Sequence, residues 1–344
     1  MSVVELHVHA PGMLGPLPAD AAALIDTTGS VGAVEELLRG AGATVGQPWA
    51  GYRSRMRLFG LADDDEGRGV ASLSALGDGI DPGSDQFFLA DPIQLIPDRD
   101  RLLVGVSGSE GIPPGTLKAL MNELNVYLAD DNLELLSGSS GQWYLRSSTR
   151  QSVRSLPLDR VLGRSMSECL PWGEDTATWM RVLNTVQMLL HDTQVNRDRL
   201  VQGRPVLNGL WPWGGGRLPE APRATRWKRV FTETPLTRGL CLLARVRYGS
   251  LPDAEEIMTE AGSGPILLDL PDFPAVRDAE TFADWQRALG AFGQDWAEPL
   301  SSAVSRGHLR RLVIHASGWR IERKRALIPY PRRRRRLRDW LMTR

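Results

Sequence analysis

The chain has 344 residues, enough for one large α/β domain or two smaller ones, and its hydrophobic share of 42% and charged share of 24% exclude a largely disordered chain, a fibrous protein and a bundle of membrane helices. Its 41 basic and 41 acidic residues cancel, yet residues 1–100 carry 6 basic and 15 acidic residues whereas residues 320–344 carry 11 basic and 2 acidic ones. This polarity between the two ends of the chain indicates a charged partner.

The first half of the chain predicts short strands and one long helix. Its alternating and helical patterns are bounded by turn residues, and the run LADDDEGRGVASLSALGDGIDPGSDQ predicts a surface loop. The predicted elements are a strand at 3–9, a helix at 32–40, the loop at 61–86, a hairpin at 87–106 turning at Asp98 to Asp100, a helix at 113–131 and a strand pair within 133–148.

The second half reads as alternating helices and strands. Helical spacing extends over 173–191, 235–249 and 280–299, and the β-rich runs PILLDL and LRRLVIH flank the last of these helices. Strand, long helix, strand is the form of a parallel βαβ crossover. We therefore predict an α/β domain over residues 1–318 with a mostly parallel sheet flanked by helices, carrying a small inserted or edge β meander at about 61–146.

Two further features limit the location and the covalent chemistry. The N-terminal sequence lacks the basic and long apolar regions of a signal peptide, so we expect a cytoplasmic protein. The two cysteines, Cys169 and Cys241, lie far apart without CxxC spacing, which predicts buried thiols instead of a disulfide framework or a zinc site. The sequence contains no GxSxG elbow, no HExxH helix and no cysteine–histidine pairing, so it has none of the usual hydrolase motifs.

Residues 319–344 form a predicted basic arm. Pro329 and Pro331 should end regular structure before five consecutive arginines, each of which offers a planar fork of donors suited to phosphate, while nearby aromatic rings can stack on bases. The candidate residues for nucleic acid or an anionic partner are Arg332, Arg333, Arg334, Arg335, Arg336, Arg338, Tyr330 and Trp340. The alternatives are a solvated tail, an acidic protein partner, or contact with the chain's own acidic N-terminal third, including Asp63 to Glu66.

The segment PVLNGLWPWGGG resembles the P-A-N-x-x-x-x-R-G-x-G segment of archaeal-type cofactor-independent phosphoglycerate mutases, which are members of the alkaline phosphatase superfamily. Its candidate ligand-loop residues are Asn208, Gly214, Gly215 and Gly216, and a loop of this kind after a parallel strand can place N–H groups near an anion. Together with the preceding LDRVLGR and VQMLLH runs, it is more similar to proteobacterial relatives described as RpfE-type regulatory proteins. The resemblance covers residues 155–216.

The resemblance also implies a two-metal phosphotransfer site, and this sequence departs from its ligand pattern. The family's first aspartate is replaced by His9, the D-x-x-G-H-x-x-D motif is reduced to Asp269 and Asp272, and the final G-D-H motif to His315. These four residues are candidates for a single divalent metal site at the carboxyl edge of one sheet. The departures predict that the catalytic metal centre is lost and that no cofactor is bound.

The sequence therefore favours a non-catalytic regulatory or adaptor protein, a pseudoenzyme on a degenerate phosphomutase-like scaffold. The resemblance implies a link to a single-strand DNA exonuclease, so the expected partner of the arm is nucleic acid, including single-stranded DNA, or an acidic protein such as a repair nuclease. The alternative is a phosphomutase or phosphatase that acts on small phosphate esters with a divalent metal such as Mn²⁺.

Overall fold

The computed structural model describes residues 3–18, 25, 30–46, 51–61, 67–106, 108–109, 111–260, 264–324 and 336–341. The chain divides into two compact units. The first contains residues 1–61, 222–237 and 241–344, and the second contains residues 62–221 and 238–240.

The first unit is built on a seven-stranded sheet in the order β11-β10-β12-β1-β13-β14-β2, of which the first five strands run parallel. The strands are β1 (Val3–His9), β2 (Gly42–Val45), β10 (Arg229–Thr232), β11 (Arg247–Gly249), β12 (Pro265–Asp269), β13 (Leu309–Ala316) and β14 (Trp319–Lys324). The three central strands bury apolar side chains, among them Leu6, Leu268 and Ile314, because helices and loops cover a parallel sheet. The predicted α/β class with a mostly parallel, helix-flanked sheet is confirmed.

The second unit contains an antiparallel sheet in the order β4-β3-β6-β5, with β9 paired to β3 as well. Its strands are β3 (Gln86–Asp98), β4 (Arg101–Val106), β5 (Leu133–Ser137), β6 (Trp143–Ser147) and β9 (Gly209–Gly216), and a separate pair is formed by β7 (Val153–Arg154) and β8 (Trp172–Gly173). The meander expected within 61–146 is present, and the unit continues to residue 221 because β9 completes its sheet.

The helices pack on the sheets with one apolar face. Their bounds are α1 (Ser30–Leu38), α2 (Gly51–Leu58), α3 (Val70–Gly77), α4 (Pro114–Leu128), α5 (Leu158–Val161), α6 (Thr176–His191), α7 (Gln194–Val201), α8 (Pro235–Leu243), α9 (Ala254–Thr259), α10 (Ala279–Phe292) and α11 (Glu298–Arg306). Helix α10 is an example: Trp285, Leu289 and Phe292 lie on one side of it and are buried in the core of the first unit. None of the helices in the described ranges is long and apolar enough to cross a membrane.

Several expectations differ from the structure. The loop predicted at 61–86 contains helix α3, whose residues Val70 to Ala75 are buried. The helix predicted at 235–249 ends at Leu243, and Arg247–Gly249 forms strand β11. Residues 319–324, assigned to the arm, form strand β14, whose antiparallel pairing with β13 supplies its backbone hydrogen bonds. The glycines at 214–216, expected in a loop after a parallel strand, lie inside the antiparallel strand β9. Glycine is required there because a Cβ at Gly215 would come within 2.2 Å of the Phe88 ring.

Candidate functional site

A row of polar side chains crosses the carboxyl edge of the parallel sheet. Asp269 at the end of β12 is in register with His9 on β1 and with Thr232 on β10, and His9 is in register with His315 on β13. The carboxyl ends of parallel strands meet at one edge, which is where open α/β sheets bind their ligands. The structure thus brings together three of the four candidates for a metal site, and Asp272 follows three residues after Asp269.

The Asp269 carboxylate is fully buried and accepts hydrogen bonds at both oxygens. Oδ1 accepts from His9 Nδ1 at 2.6 Å and from Arg55 Nε at 3.1 Å. Oδ2 accepts from the hydroxyls of Thr232 at 2.9 Å and Thr237 at 2.6 Å, and lies 3.2 Å from Arg55 Nε. Burial alone would raise the pKa of Asp269, but the charge of Arg55 and the bond from His9 outweigh it and hold that pKa well below its usual range.

Arg55 is the cation of this site, and sequence reasoning missed it. Its side chain is buried, with Nη2 donating to the Leu270 carbonyl at 3.0 Å and Nη1 lying 2.6 Å from Asp272 Oδ1. The two carboxylates outweigh the desolvation of the guanidinium and raise the pKa of Arg55 further. Gly51 permits this packing, because a Cβ there would lie 2.2 Å from Asp272 Oδ2.

The side chains at this edge do not fit the two-metal centre that the fold family implies. Both Asp269 oxygens are used by hydrogen-bond donors, His9 Nδ1 faces Asp269, and the buried Arg55 places a positive charge where a metal would have to approach. Among the residues that the structure describes, no group of three or more histidine, cysteine, aspartate or glutamate side chains is arranged to hold a metal. Arg55 thus supplies the positive charge that balances Asp269.

A second hydrogen-bonded chain runs along the same strands. Glu5 Oε1 accepts from His7 Nε2 at 2.6 Å, and His7 Nδ1 lies 2.9 Å from His315 Nε2. Burial lowers the pKa of His7 to about 4 and the pKa of His315 well below its usual value. With both rings neutral, His315 Nε2 donates to His7 Nδ1, and His315 Nδ1 keeps its lone pair.

The second unit contains an arginine-lined cavity of about 640 Å³ beside the glycine strand β9. Its wall combines the glycine backbone with four arginine side chains and one carboxylate, that of Glu174. The arginines are Arg68, Arg150, Arg154 and Arg217, and the glycines are Gly214, Gly215 and Gly216. A cavity with this excess of guanidinium groups suits an anion.

Asn208, the fourth residue of the expected ligand loop, clamps the neighbouring strand. Its Oδ1 accepts from the backbone N–H of Leu95 at 2.6 Å and its Nδ2 donates to the carbonyl of Leu95 at 3.0 Å. The Asn208 amide therefore fixes the start of β9 against β3, because its donor and its acceptor both bind the backbone of Leu95.

The arm residues fall in two groups. Tyr330 and Arg332 to Arg335 lie outside the described residues. Arg336 and Arg338 are exposed around a short 3₁₀ turn at Leu337–Asp339, whereas Trp340 is only 2% exposed and meets the ring of Trp319 edge-on at 5.4 Å. Trp340 is therefore a core residue of the first unit, and its ring faces are not available for stacking on bases, because apolar packing covers them.

The comparisons with known proteins agree with the phosphomutase-like scaffold. The chain is 24% identical over 176 residues to a probable 2,3-bisphosphoglycerate-independent phosphoglycerate mutase of Geobacter sulfurreducens, covering 51% of this chain and 44% of that protein. It is 34% identical over 109 residues to the enzyme of that name from Methanothrix thermoacetophila, covering 30% of this chain and 28% of the relative. The chain is similar to cofactor-independent phosphoglycerate mutases. It spans less than half the length of these curated relatives.

One solved structure agrees at the level of the fold. The PH0037 protein from Pyrococcus horikoshii shares 13% identity with a TM-score of 0.56, covering 94% of this chain and 87% of that one. The cofactor-independent phosphoglycerate mutase from Thermoplasma acidophilum aligns over 93% of this chain and 89% of its own, at 17% identity and a TM-score of 0.45. No protein-family model matches the chain.

Proposed function

We propose that the chain binds a small phosphate ester in the arginine-lined cavity of its second unit, on a phosphomutase-like scaffold whose strand-end site holds Arg55 in place of a metal. The observation that carries the proposal is the convergence of Arg68, Arg150, Arg154 and Arg217 on one cavity. The similarity to phosphoglycerate mutases supports the choice of ligand class.

The cavity's charge favours a phosphate over a neutral metabolite. Among the described residues, four arginines and one carboxylate, that of Glu174, line its wall. Each guanidinium can make paired, charge-assisted hydrogen bonds to phosphate oxygens, which are about twice as strong as neutral ones. A volume of about 640 Å³ holds a phosphorylated three-carbon acid with room to spare.

Titration calorimetry with 3-phosphoglycerate and 2-phosphoglycerate in EDTA tests the proposal. We expect saturable binding, weakened about 10-fold or more by Arg150→Gln or Arg217→Gln, since a hydrogen bond to a charged group contributes about 1.5–3 kcal/mol. The matched control is Arg160→Gln, an exposed arginine of the same unit that does not line the cavity. Absence of binding, or equal weakening in the control, would overturn the proposal.

A metal-dependent phosphomutase or phosphatase is the competing reading. It requires Mn²⁺ or another divalent ion, so ³¹P spectra of 3-phosphoglycerate incubated with protein and Mn²⁺ would show 2-phosphoglycerate or free phosphate. We expect neither product, because the Asp269 oxygens are already taken by hydrogen-bond donors. Turnover that is lost in His9→Ala or His315→Ala would favour the enzyme instead.

A regulatory or adaptor role of the RpfE type, acting through the arginine arm, is a second candidate. The concentration of basic residues at one end of the chain and the exposure of Arg336 and Arg338 support it. The partner would be nucleic acid or an acidic protein such as a repair nuclease. This role is compatible with phosphate-ester binding, because the arm and the cavity are separate parts of the chain.

A further inference from the structure

A cavity of about 240 Å³ opens at the carboxyl edge of the parallel sheet in the first unit. Nothing in the proposed function uses it. Among the described residues, its wall carries histidine, serine and arginine side chains and no carboxylate. The lining residues are His9, Pro11, Ser54, Arg57, Leu58 and the turn from His315 to Arg320.

Ser54 heads a hydrogen-bonded chain into this cavity. Its Oγ lies 2.6 Å from His9 Nε2, and His9 Nδ1 lies 2.6 Å from Asp269 Oδ1. Asp269 Oδ1 also accepts from Arg55 Nε, and Oδ2 accepts from the hydroxyls of Thr232 and Thr237, so the carboxylate is an acceptor at both oxygens. His9 Nδ1 therefore carries the hydrogen, which leaves Nε2 to accept from the Ser54 hydroxyl.

These three side chains have the relations of a serine–histidine–aspartate triad: nucleophile, base, and a buried carboxylate that fixes the tautomer of the base. The Ser54 hydroxyl has one competing acceptor, the Gly51 carbonyl at 2.9 Å, which is more distant than His9 Nε2. Arg55 does not break the chain, because Asp269 Oδ1 accepts from both His9 Nδ1 and Arg55 Nε.

Unpartnered donors lie in the same cavity. Among the described residues, four buried side-chain nitrogen or oxygen atoms have no hydrogen-bond partner, and two of them, Ser317 Oγ and Trp319 Nε1, belong to residues that line this wall. Ser317 is only 7% exposed. A buried donor without a partner costs free energy, so these two donors have unused capacity for a polar atom of a ligand.

From this arrangement we propose that the cavity is a metal-independent esterase site for short-chain carboxylic esters, with Ser54 as the nucleophile, His9 as the general base and the Ser317 and Trp319 donors on the substrate's carbonyl oxygen. The apolar side chains of Pro11 and Leu58 contact the acyl group. The small volume restricts that group to a few carbon atoms.

The reaction balances with water as the only co-reactant. Ser54 Oγ forms a bond to the carbonyl carbon while its proton passes to His9 Nε2. The bond between that carbon and the leaving alcohol oxygen breaks as His9 returns the proton to the oxygen, which gives an acyl-serine and the free alcohol. Water then attacks the acyl-serine by the same route, releasing the carboxylic acid and restoring Ser54.

Labelling of the full chain with a fluorophosphonate probe in EDTA, followed by peptide mass mapping, tests the nucleophile. We expect the label on Ser54, its loss in Ser54→Ala, and a rate within about twofold of wild type in Ser305→Ala, an exposed serine of helix α11 outside the cavity. Circular dichroism checks that Ser54→Ala remains folded. A wild-type chain that is not labelled, or a label that persists in Ser54→Ala, would overturn the proposal.

Hydrolysis assays in EDTA test the substrate class. p-Nitrophenyl acetate should be hydrolysed, and the rate should fall about 100-fold or more in Ser54→Ala, since general-base catalysis of this kind contributes about 10²–10⁴. Ser54-dependent release from p-nitrophenyl phosphate with none from the acetate would overturn the carboxylic-ester assignment. Binding of 3-phosphoglycerate should be unchanged in Ser54→Ala, so the two proposals can fail separately.

Discussion

Replacing Arg55 by methionine should destabilise the first unit more than most single substitutions. The guanidinium is buried and contacts Asp269, Asp272 and the Leu270 carbonyl, and methionine keeps much of its volume while removing every donor. Asp269 would then hold a buried negative charge without its cation. Removal of one partner from a buried ion pair costs about 3–5 kcal/mol.

Urea unfolding, followed by tryptophan fluorescence and circular dichroism, measures the loss as a fall in the transition midpoint at constant slope. The matched control is Arg39→Met. Arg39 pairs with Glu36 on helix α1, and both side chains are more than two-fifths exposed. An exposed pair contributes about 0–1 kcal/mol, so the control should stay within about 1 kcal/mol of wild type.

A double variant separates the charge from the packing. Asp269→Asn in the Arg55→Met background removes the uncompensated charge, so the double variant should recover part of the stability lost in Arg55→Met. An Arg55→Met protein within about 1 kcal/mol of wild type would refute the reasoning that Arg55 is the structural counter-ion of Asp269.

Three further outcomes follow from particular residues. The pKa of His7 is near 4 in the folded chain and 6.5 when unfolded, so the unfolded state binds more protons between these values. Thermal melts should therefore show the free energy of unfolding falling by about 2–3 kcal/mol as pH drops from 6.5 to 4. This fall should be smaller in His7→Gln and the same as in wild type in the exposed control His308→Gln. Gly215→Ala should lower the free energy of unfolding by about 1–3 kcal/mol through its clash with Phe88, whereas Gly115→Ala, which meets no atom within 4 Å, should not lower it. If the arm binds nucleic acid, changing Arg332–Arg335 to glutamine should flatten the log–log salt slope of oligonucleotide binding by about 3–4, and an unchanged slope would reject that role.

The arm experiment uses substitution because truncation would confound it. A chain ending at Pro331 would lose Leu337 and Trp340, which are buried in the core of the first unit. A truncated protein could then fail to bind because it is less stable, whatever the arginines do. Neutral glutamines keep the chain length and these two anchors, so the salt slope reports the arginine charges alone.

The parallel sheet could be predicted because its signals are local. The runs at β1, β12 and β13 are short and β-rich, and helix α10 between the last two strands carries Trp285, Leu289 and Phe292 at helical spacing. Strands of this kind also end at polar residues, which is how His9, Asp269 and His315 were found together. Burial of both sheet faces and the parallel βαβ crossover are enough to predict that these three strand ends lie at one edge of the sheet.

The partners of these strand-end residues could not be predicted, because they come from distant parts of the chain. Ser54 and Arg55 lie on helix α2, more than two hundred residues from Asp269 in sequence. In sequence, Arg55 is one of three arginines at every second position, and nothing separates the buried one from Arg53 and Arg57. The glycines of β9 misled in the opposite direction, because a Cβ at Gly215 would clash with Phe88 and one at Gly216 with the Gly69 backbone, while Gly214 has a φ of +67°.

Arg55 and Ser54 together explain how an acidic strand-end site can persist without a metal. Asp269 needs a positive neighbour because it is buried and ionised, and Arg55 provides one from the chain itself. Once the carboxylate is held in this way, its remaining acceptor capacity orients His9, and His9 presents Nε2 to Ser54. Arg55, which closes the site to a divalent ion, thus also leaves the His9 imidazole oriented beside the Ser54 hydroxyl. This is the arrangement that acyl transfer requires.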